Sequence, residues 1–246
     1  MTRARGAQPA KRVVFTMGGK GGVGKTGVVV ALAEWFAANE IPVTLLDLDT
    51  ENKDRGSLKH FFNGSVTKLN IHTPAGLDAF VDHLDSGSEI ILADMGAGAG
   101  QVATDWFESM YEDVAATGVS FTAIGVVTPD PASVESILAW ANRLQDRVEY
   151  VVVENAISTI SDFTYWKGTE QAKRFRDAFS PTILQMEFRL AALENPVRQH
   201  GIKLGDVADR KASASELKRA SLIMRAQSYR RRLFSEFNRT KKVFLP

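Results

Sequence analysis

The chain has 246 residues, 44% of them apolar and 24% charged, with a formal net charge of +1. That suits one α/β domain with a full core and gives no global reason to expect nucleic acid or an anionic membrane as a partner. With no cysteine in the sequence, disulfides, cysteine-ligated iron–sulfur clusters and thiolate metal sites are excluded.

Met1 to Lys11 carries basic residues but neither an apolar core nor a cleavage pattern, so it reads as a disordered basic leader and not a signal peptide. No apolar run approaches the length needed to span a bilayer, and the cytoplasm is the default location. Residues 12–246 read as a single domain, with no linker, repeat or low-complexity segment dividing them.

An apolar, β-branched run, Val13 to Met17, feeds a glycine-rich turn and then an amphipathic helix from Val28 to Ala38. The turn from Gly19 to Thr26 fits the phosphate-binding pattern G-x-x-x-x-G-K-[ST] at every fixed position. Gly19, Gly21, Gly22 and Gly24 let the backbone curl around Val23 with its N–H groups pointing inward, where β-carbons would obstruct them. Lys25 supplies a point charge for the β- and γ-phosphates, Thr26 offers a hydroxyl to Mg²⁺, and the helix N-terminus faces the same anion. Ile41-Pro42 then marks a break before a buried strand, Val43 to Leu46, that ends in Asp47-Leu48-Asp49. Carboxylates at i and i+2 of a strand share one side, here at the carboxyl end where such sheets bind ligands. Taken alone, the same pair also suits a solvated turn.

Residues 53–75 are polar and say less. They offer scattered Arg55, Lys59, His60 and Lys68, one short strand candidate at Leu69 to His72, and either a mobile loop over a site or a surface connection. Pro74 to Leu84 reads as a helix with its proline in the first turn. Glu89 to Asp94 is an apolar strand ending in an acid, the Walker B form, which sets Asp94 near Mg²⁺ through water. A small-residue turn follows through Gly96, Ala97 and Gly98. Helix 102–116, strand 119–127, the turn Thr128-Pro129-Asp130, helix 133–144, strand 149–155 and strand 181–186 complete the alternation. Apolar runs alternating with helical stretches predict a three-layer α/β P-loop NTPase, a mostly parallel sheet flanked by helices on both faces.

A second lysine sharpens the reading. Lys20-Gly21-Gly22-Val23-Gly24-Lys25-Thr26 resembles the deviant Walker A box of the ParA/MinD ATPases, a branch of the SIMIBI class of P-loop proteins. The Asp47-Leu48-Asp49 box, Asp94 with Ala97-Gly98, and Thr128-Pro129-Asp130 extend the likeness. Gly96 departs from it, replacing a proline, as do Thr50, also at a common proline, and Gly27, which replaces a second Ser/Thr. That last change removes one hydroxyl from the α-phosphate side. The resemblance implies that Lys20 reaches across a nucleotide-sandwiched homodimer to the partner's phosphates. It also implies that Asp49 orients the attacking water, that Asp47 supports the Mg²⁺ shell, and that Gly98 contacts the γ-phosphate through its backbone. Asn155 is then the candidate for the adenine edge, and Glu187-Phe188-Arg189 lies where the family packs on adenine. No N-K-x-D or T-K-x-D guanine box occurs, which favours ATP over GTP. Relatives built on cysteine, the nitrogenase iron protein and the iron–sulfur carriers, are closed.

The stretch from Ala212 to Phe237 has helical periodicity and many basic residues, giving a basic C-terminal helix at about 212–238. It reads as a helix packed on the sheet with a solvated basic face, as a non-specific contact to DNA phosphates, or as a membrane-surface helix. Arg230-Arg231-Arg232 interrupts the apolar stripe, so membrane contact ranks last. The Asp94 to Ala97 loop, Tyr165-Trp166-Lys167-Gly168 and Met224 to Phe234 resemble the TraL branch, encoded with conjugative plasmid transfer genes. The resemblance implies a slow, partner-stimulated, Mg²⁺-dependent ATPase that works as a dimerisation switch, in plasmid partition, conjugative transfer or intracellular positioning. A partition or transfer-complex protein is then the expected partner. Two readings stand beside it: a nucleotide-dependent binding module with negligible hydrolysis, docking on DNA or a protein, and a dethiobiotin synthetase-like small-molecule enzyme.

Overall fold

The computed structural model describes residues 10–50, 57–62, 64–85 and 88–246. Residues 1–9 of the expected leader, and Glu51, Asn52 and Arg55 beyond the acid pair, lie outside the described residues. Lys11, read as the end of the leader, opens the first strand. The chain runs β1 (Lys11–Met17), α1 (Lys25–Ala38), β2 (Thr44–Leu48), α2 (Leu58–Phe61), β3 (Val66–Lys68), α3 (Pro74–Asp85) and β4 (Ile90–Met95). It continues through α4 (Gly100–Ala116), β5 (Val119–Val127), α5 (Pro131–Leu144), β6 (Glu149–Asn155), α6 (Thr164–Gly168), α7 (Glu170–Phe179) and β7 (Thr182–Met186). The last elements are α8 (Ala191–His200), α9 (Leu204–Ala208) and α10 (Ala220–Thr240).

The strands form one sheet in the order β3-β2-β4-β1-β5-β6-β7, with every pair parallel. Parallel neighbours need crossovers, and the crossovers place helices on both faces. Alternation along β1 shows why its apolar run is continuous. Val14 faces the layer of α1, α8, α9 and α10, while Val13, Phe15 and Met17 face the layer of α3, α4, α5 and α7. Both sides of the strand are therefore core, the three-layer arrangement the sequence predicts. β1 lies between β4 and β5, so its carboxyl end, where the glycine-rich loop leaves, opens at the middle of the sheet.

Three expectations are corrected. Helix α1 is not amphipathic: Val28 to Ala33, Trp35 and Phe36 are all buried. A helix that is apolar all round must be covered all round, and α10 supplies the outer cover, with Phe237 and Phe244 against Trp35. The short strand lies at Val66–Lys68 instead of 69–72, paired with Leu45 to Asp47. The pairing buries Val66, and Ile71 enters the opposite core from the turn that follows. The C-terminal helix starts at Ala220, because Arg219 takes extended backbone (φ −66°, ψ 130°) after a short turn at Ser215–Lys218.

Candidate nucleotide site

β1 delivers the chain into a loop whose Gly18, Gly22 and Gly24 have φ of 103°, 77° and 104°. L side chains are strained in that region, so the loop needs glycine there. Gly24 needs it twice over, since a β-carbon would stand 2.6 Å from the Asn155 Nδ2. Asn155, at the end of β6, donates that Nδ2 to the Val23 carbonyl at 2.8 Å and so ties the loop to the sheet. Helix α1 begins at Lys25, and its first N–H groups have no intrahelical acceptor, which makes this end a ready anion site. Lys25 is buried, with Nζ donating to the Lys20 carbonyl at 3.0 Å.

β2 and β4 are neighbours, and their register sets Asp47 beside Asp94. Both are buried, as is Asp49. The oxygens of Asp47 are engaged: Oδ1 accepts from the Asp49 N–H (3.1 Å), and Oδ2 accepts from the Lys59 N–H (3.3 Å) with Lys68 Nζ 3.9 Å away. Burial raises its pKa, opposed first by Lys68. Asp94 Oδ1 accepts from the Thr16 hydroxyl at 3.3 Å, and Thr16 in turn accepts from the Met95 N–H at 2.8 Å. Asp94 Oδ2 is buried with no hydrogen-bond partner among the described residues. Burial pushes the Asp94 pKa up to about 7; the nearby Asp47 and Asp49 add to the rise, while Thr26 and Lys25 oppose it. An orphaned carboxylate oxygen, crowded by two further acids and beside a hydroxyl, is the oxygen donor set that a hard cation such as Mg²⁺ satisfies. Among the described residues no three acids or histidines form a complete chelate.

The turn after β4 closes over this cluster. A β-carbon on Gly96 would lie 2.6 Å from Asp49 Oδ1 and 3.1 Å from its Cα. Glycine in place of proline therefore lets the turn approach Asp49. A 3-10 turn at Ala97–Ala99 follows, with the Ala97 carbonyl 3.5 Å from where a Gly19 β-carbon would be. Gly98 is exposed there.

These elements enclose a cavity of about 740 Å³. Gly21, Gly22, Val23, Gly24, Lys25, Thr26 and Asp49 line it; Phe61, Arg189, Glu194, Val197 and Arg198 make the far side. Asp47, Asp94 and Asn155 are not among the residues that line it. Lys20 stands outside the cavity, its Nζ 3.1 Å from Asp130 Oδ2. Asp130 is fixed in turn as the N-cap of α5, accepting from the Ala132 N–H at 3.0 Å. Sequence reasoning missed Thr16, whose signal was a hydroxyl in an apolar strand. It also missed Phe61 and Glu194, which carry no motif, and the pairing of Lys20 with Asp130, two residues far apart in sequence.

The model of the CobQ/CobB/MinD/ParA nucleotide-binding domain matches residues 14–244. No curated protein matches the sequence. Among solved structures, the MinD cell division protein of Aquifex aeolicus is similar, with a TM-score of 0.54, 16% identity and coverage of 96% of this chain and 98% of that one. The MinC:MinD cell division protein complex of Aquifex aeolicus gives a TM-score of 0.52, 15% identity and coverage of 96% and 98%. At such identities the likeness is one of fold. With a phosphate-binding loop, its carboxylate cluster and a family match over nearly the whole length, the chain belongs to the CobQ/CobB/MinD/ParA nucleotide-binding family.

Proposed function

We propose that the protein is an ATP-dependent dimerisation switch of the ParA/MinD type, with slow Mg²⁺-dependent hydrolysis. One observation carries the reading: of the two lysines in the loop, Lys25 lines the cavity while Lys20 stands outside it, 42% exposed beside Asp130. A lysine so placed has no duty toward a phosphate in its own cavity and is free to serve another's. Lys25 and the loop amides hold the phosphates, and Thr26 with Asp94 holds the cation. When bound, Mg²⁺ neutralises charge on the β- and γ-phosphates. Asp47 supports the cation's shell and, by accepting from the Asp49 N–H, also positions Asp49, which orients water toward the γ-phosphate. Lys20 of a second copy stabilises charge developing there. Gly98 contacts the γ-phosphate through its backbone from the turn after β4, and Asn155, tied to the Val23 carbonyl, is the candidate for the adenine edge. The output is an assembly state, serving plasmid partition, conjugative transfer or intracellular positioning. Contact with DNA phosphates falls to the α10 face carrying Arg225 and Arg231.

A second reading, a nucleotide-dependent binding module with negligible turnover, is supported by the loop after β6. Ile157 and Ile160 are 56% and 87% exposed there, apolar surface suited to a protein partner. Size-exclusion chromatography with light scattering on wild type and Asp49→Ala, with Mg²⁺ and ATP or ADP, separates the two. The switch predicts a dimer with ATP alone, longer-lived in Asp49→Ala, and Lys20→Ala should weaken dimerisation and turnover without losing monomer binding. A monomer in every condition, with nucleotide bound, would favour the binding module.

A further inference from the structure

We infer that Arg189 is the α-phosphate contact of the nucleotide site, standing where the hydroxyl that Gly27 lacks would have reached. The inference rests on the nucleotide reading above and assigns a residue that the loop motifs do not contain. Gly27 lies in the first turn of α1, one residue past Thr26. Neither positive φ nor a close backbone approach demands glycine there. A β-carbon at Gly27 would meet one heavy atom within 4 Å, the Nη2 of Arg189 at 3.6 Å. The missing side chain therefore leaves open the space into which the guanidinium points.

Arg189 is held as a binding group, not left as a loose surface cation. Its side chain is 16% exposed. Nε lies 2.7 Å from Glu194 Oε2, and Nη2 donates to Glu194 Oε1 at 3.1 Å. The guanidinium carbon sits 5.0 Å from the centre of the Tyr229 ring on α10. One hydrogen bond, a close ion-pair contact and an aromatic ring restrict the group. Nη1 makes no hydrogen bond among the described residues. Glu194 also pairs with Arg198 at 3.3 Å, so two arginines flank one acid and the triad keeps a net positive charge. All three line the same cavity as Lys25.

The place of Gly27 selects the phosphate. The cation-binding acids and Lys25 mark the γ-phosphate end, and the first helical amides descend from it. The anion beside residue 27 is the one bonded to the nucleoside, common to ATP and ADP. Through Tyr229, the same arginine also puts α10 in contact with the occupied site.

Titration calorimetry with Mg²⁺ and either ATP or ADP tests this on wild type, Arg189→Ala, Gly27→Ser and the double variant. Arg189→Ala should weaken both nucleotides alike, by about tenfold or more, as expected for loss of a charged hydrogen bond. Gly27→Ser should recover several-fold of that loss in the Arg189→Ala background, which repair of a folding defect would not do. Unchanged binding by Arg189→Ala, a loss confined to ATP, or a double variant no better than Arg189→Ala would each overturn the assignment. Dependence of wild-type binding on Lys25 separates the two failures. If binding vanishes in Lys25→Ala while Arg189→Ala binds as tightly as wild type, only the arginine's role falls; if wild type binds no nucleotide, the nucleotide reading falls with it.

Discussion

Lys20 and Asp130 form an ion pair between two groups each about two-fifths exposed, 42% and 44%. Pairs in such solvent contribute little, so the lysine is parked and not locked. Asp130 has a second task as the cap of α5, and Asn caps a helix as well as Asp does. Asp130→Asn should therefore remove the parking charge and leave the helix intact. Under the proposed switch, ATP-dependent dimerisation should shift to lower protein concentration by about two- to fivefold, read by light scattering across a dilution series. A shift in the opposite direction would mean that Asp130 works across the dimer and not within the monomer. At this scale the loop itself was legible, because phosphate chemistry fixes residue types at short spacing. The pairing of Lys20 with Asp130 and of Arg189 with Glu194 was not. The first depends on which strand ends the sheet brings together; the second is local, but no motif marks it.

Between α1 and the end of the chain, packing decides more than periodicity. Trp35 sits in a cluster with Phe36, Phe237 and Phe244, the ring centres 5.0 to 6.3 Å apart. Phe244 is fully buried, and its neighbour Val243 offers its carbonyl to the Thr122 hydroxyl at 2.6 Å and the buried Arg12 guanidinium at 3.3 Å. Phe244 and the backbone of Val243 are thus tied into the core. Phe244→Ala should cost about 3–5 kcal/mol by urea unfolding, as for other buried aromatic truncations. A loss below about 1 kcal/mol would show that the tail lies on the surface in solution. Three α10 arginines also answer carboxylates of this chain: Arg230 with Asp209, Arg232 with Glu187 and Arg239 with Glu236. Strands β5 and β6 were legible to the residue, since buried β-branched runs between turns admit few alternatives. The amphipathic reading of α1 failed on its own residues, a continuous apolar run from Val28 to Ala33 followed by Trp35 and Phe36; what the sequence did not display was the distant helix α10 that covers it.

Across the whole molecule the two cores on either side of the sheet carry the stability, and buried acids make it depend on pH, Glu34 among them. Glu34 on α1 accepts from the Gly205 N–H of α9 at 2.8 Å. Burial raises its pKa from 4.5 to about 7; Asp206 adds to the rise, while the Gly205 hydrogen bond, Lys203 and Arg230 oppose it. Below about pH 4.5 the carboxyl is protonated in both folded and unfolded chains and favours neither. Between there and about pH 7 the unfolded chain releases a proton that the folded chain retains, so stability falls as pH rises. Above pH 7 both forms are ionised and the loss is complete, on the order of 2–3 kcal/mol. Glu34→Gln keeps an acceptor for Gly205 and removes the ionisation. Its stability relative to wild type should therefore be near zero at pH 4.5, rise through pH 5 and 6, and level off above pH 7. Urea midpoints at five pH values measure this directly. A constant difference across the range would mean that water reaches the carboxyl between α1 and α9, and that the seam between these helices is looser than its packing indicates.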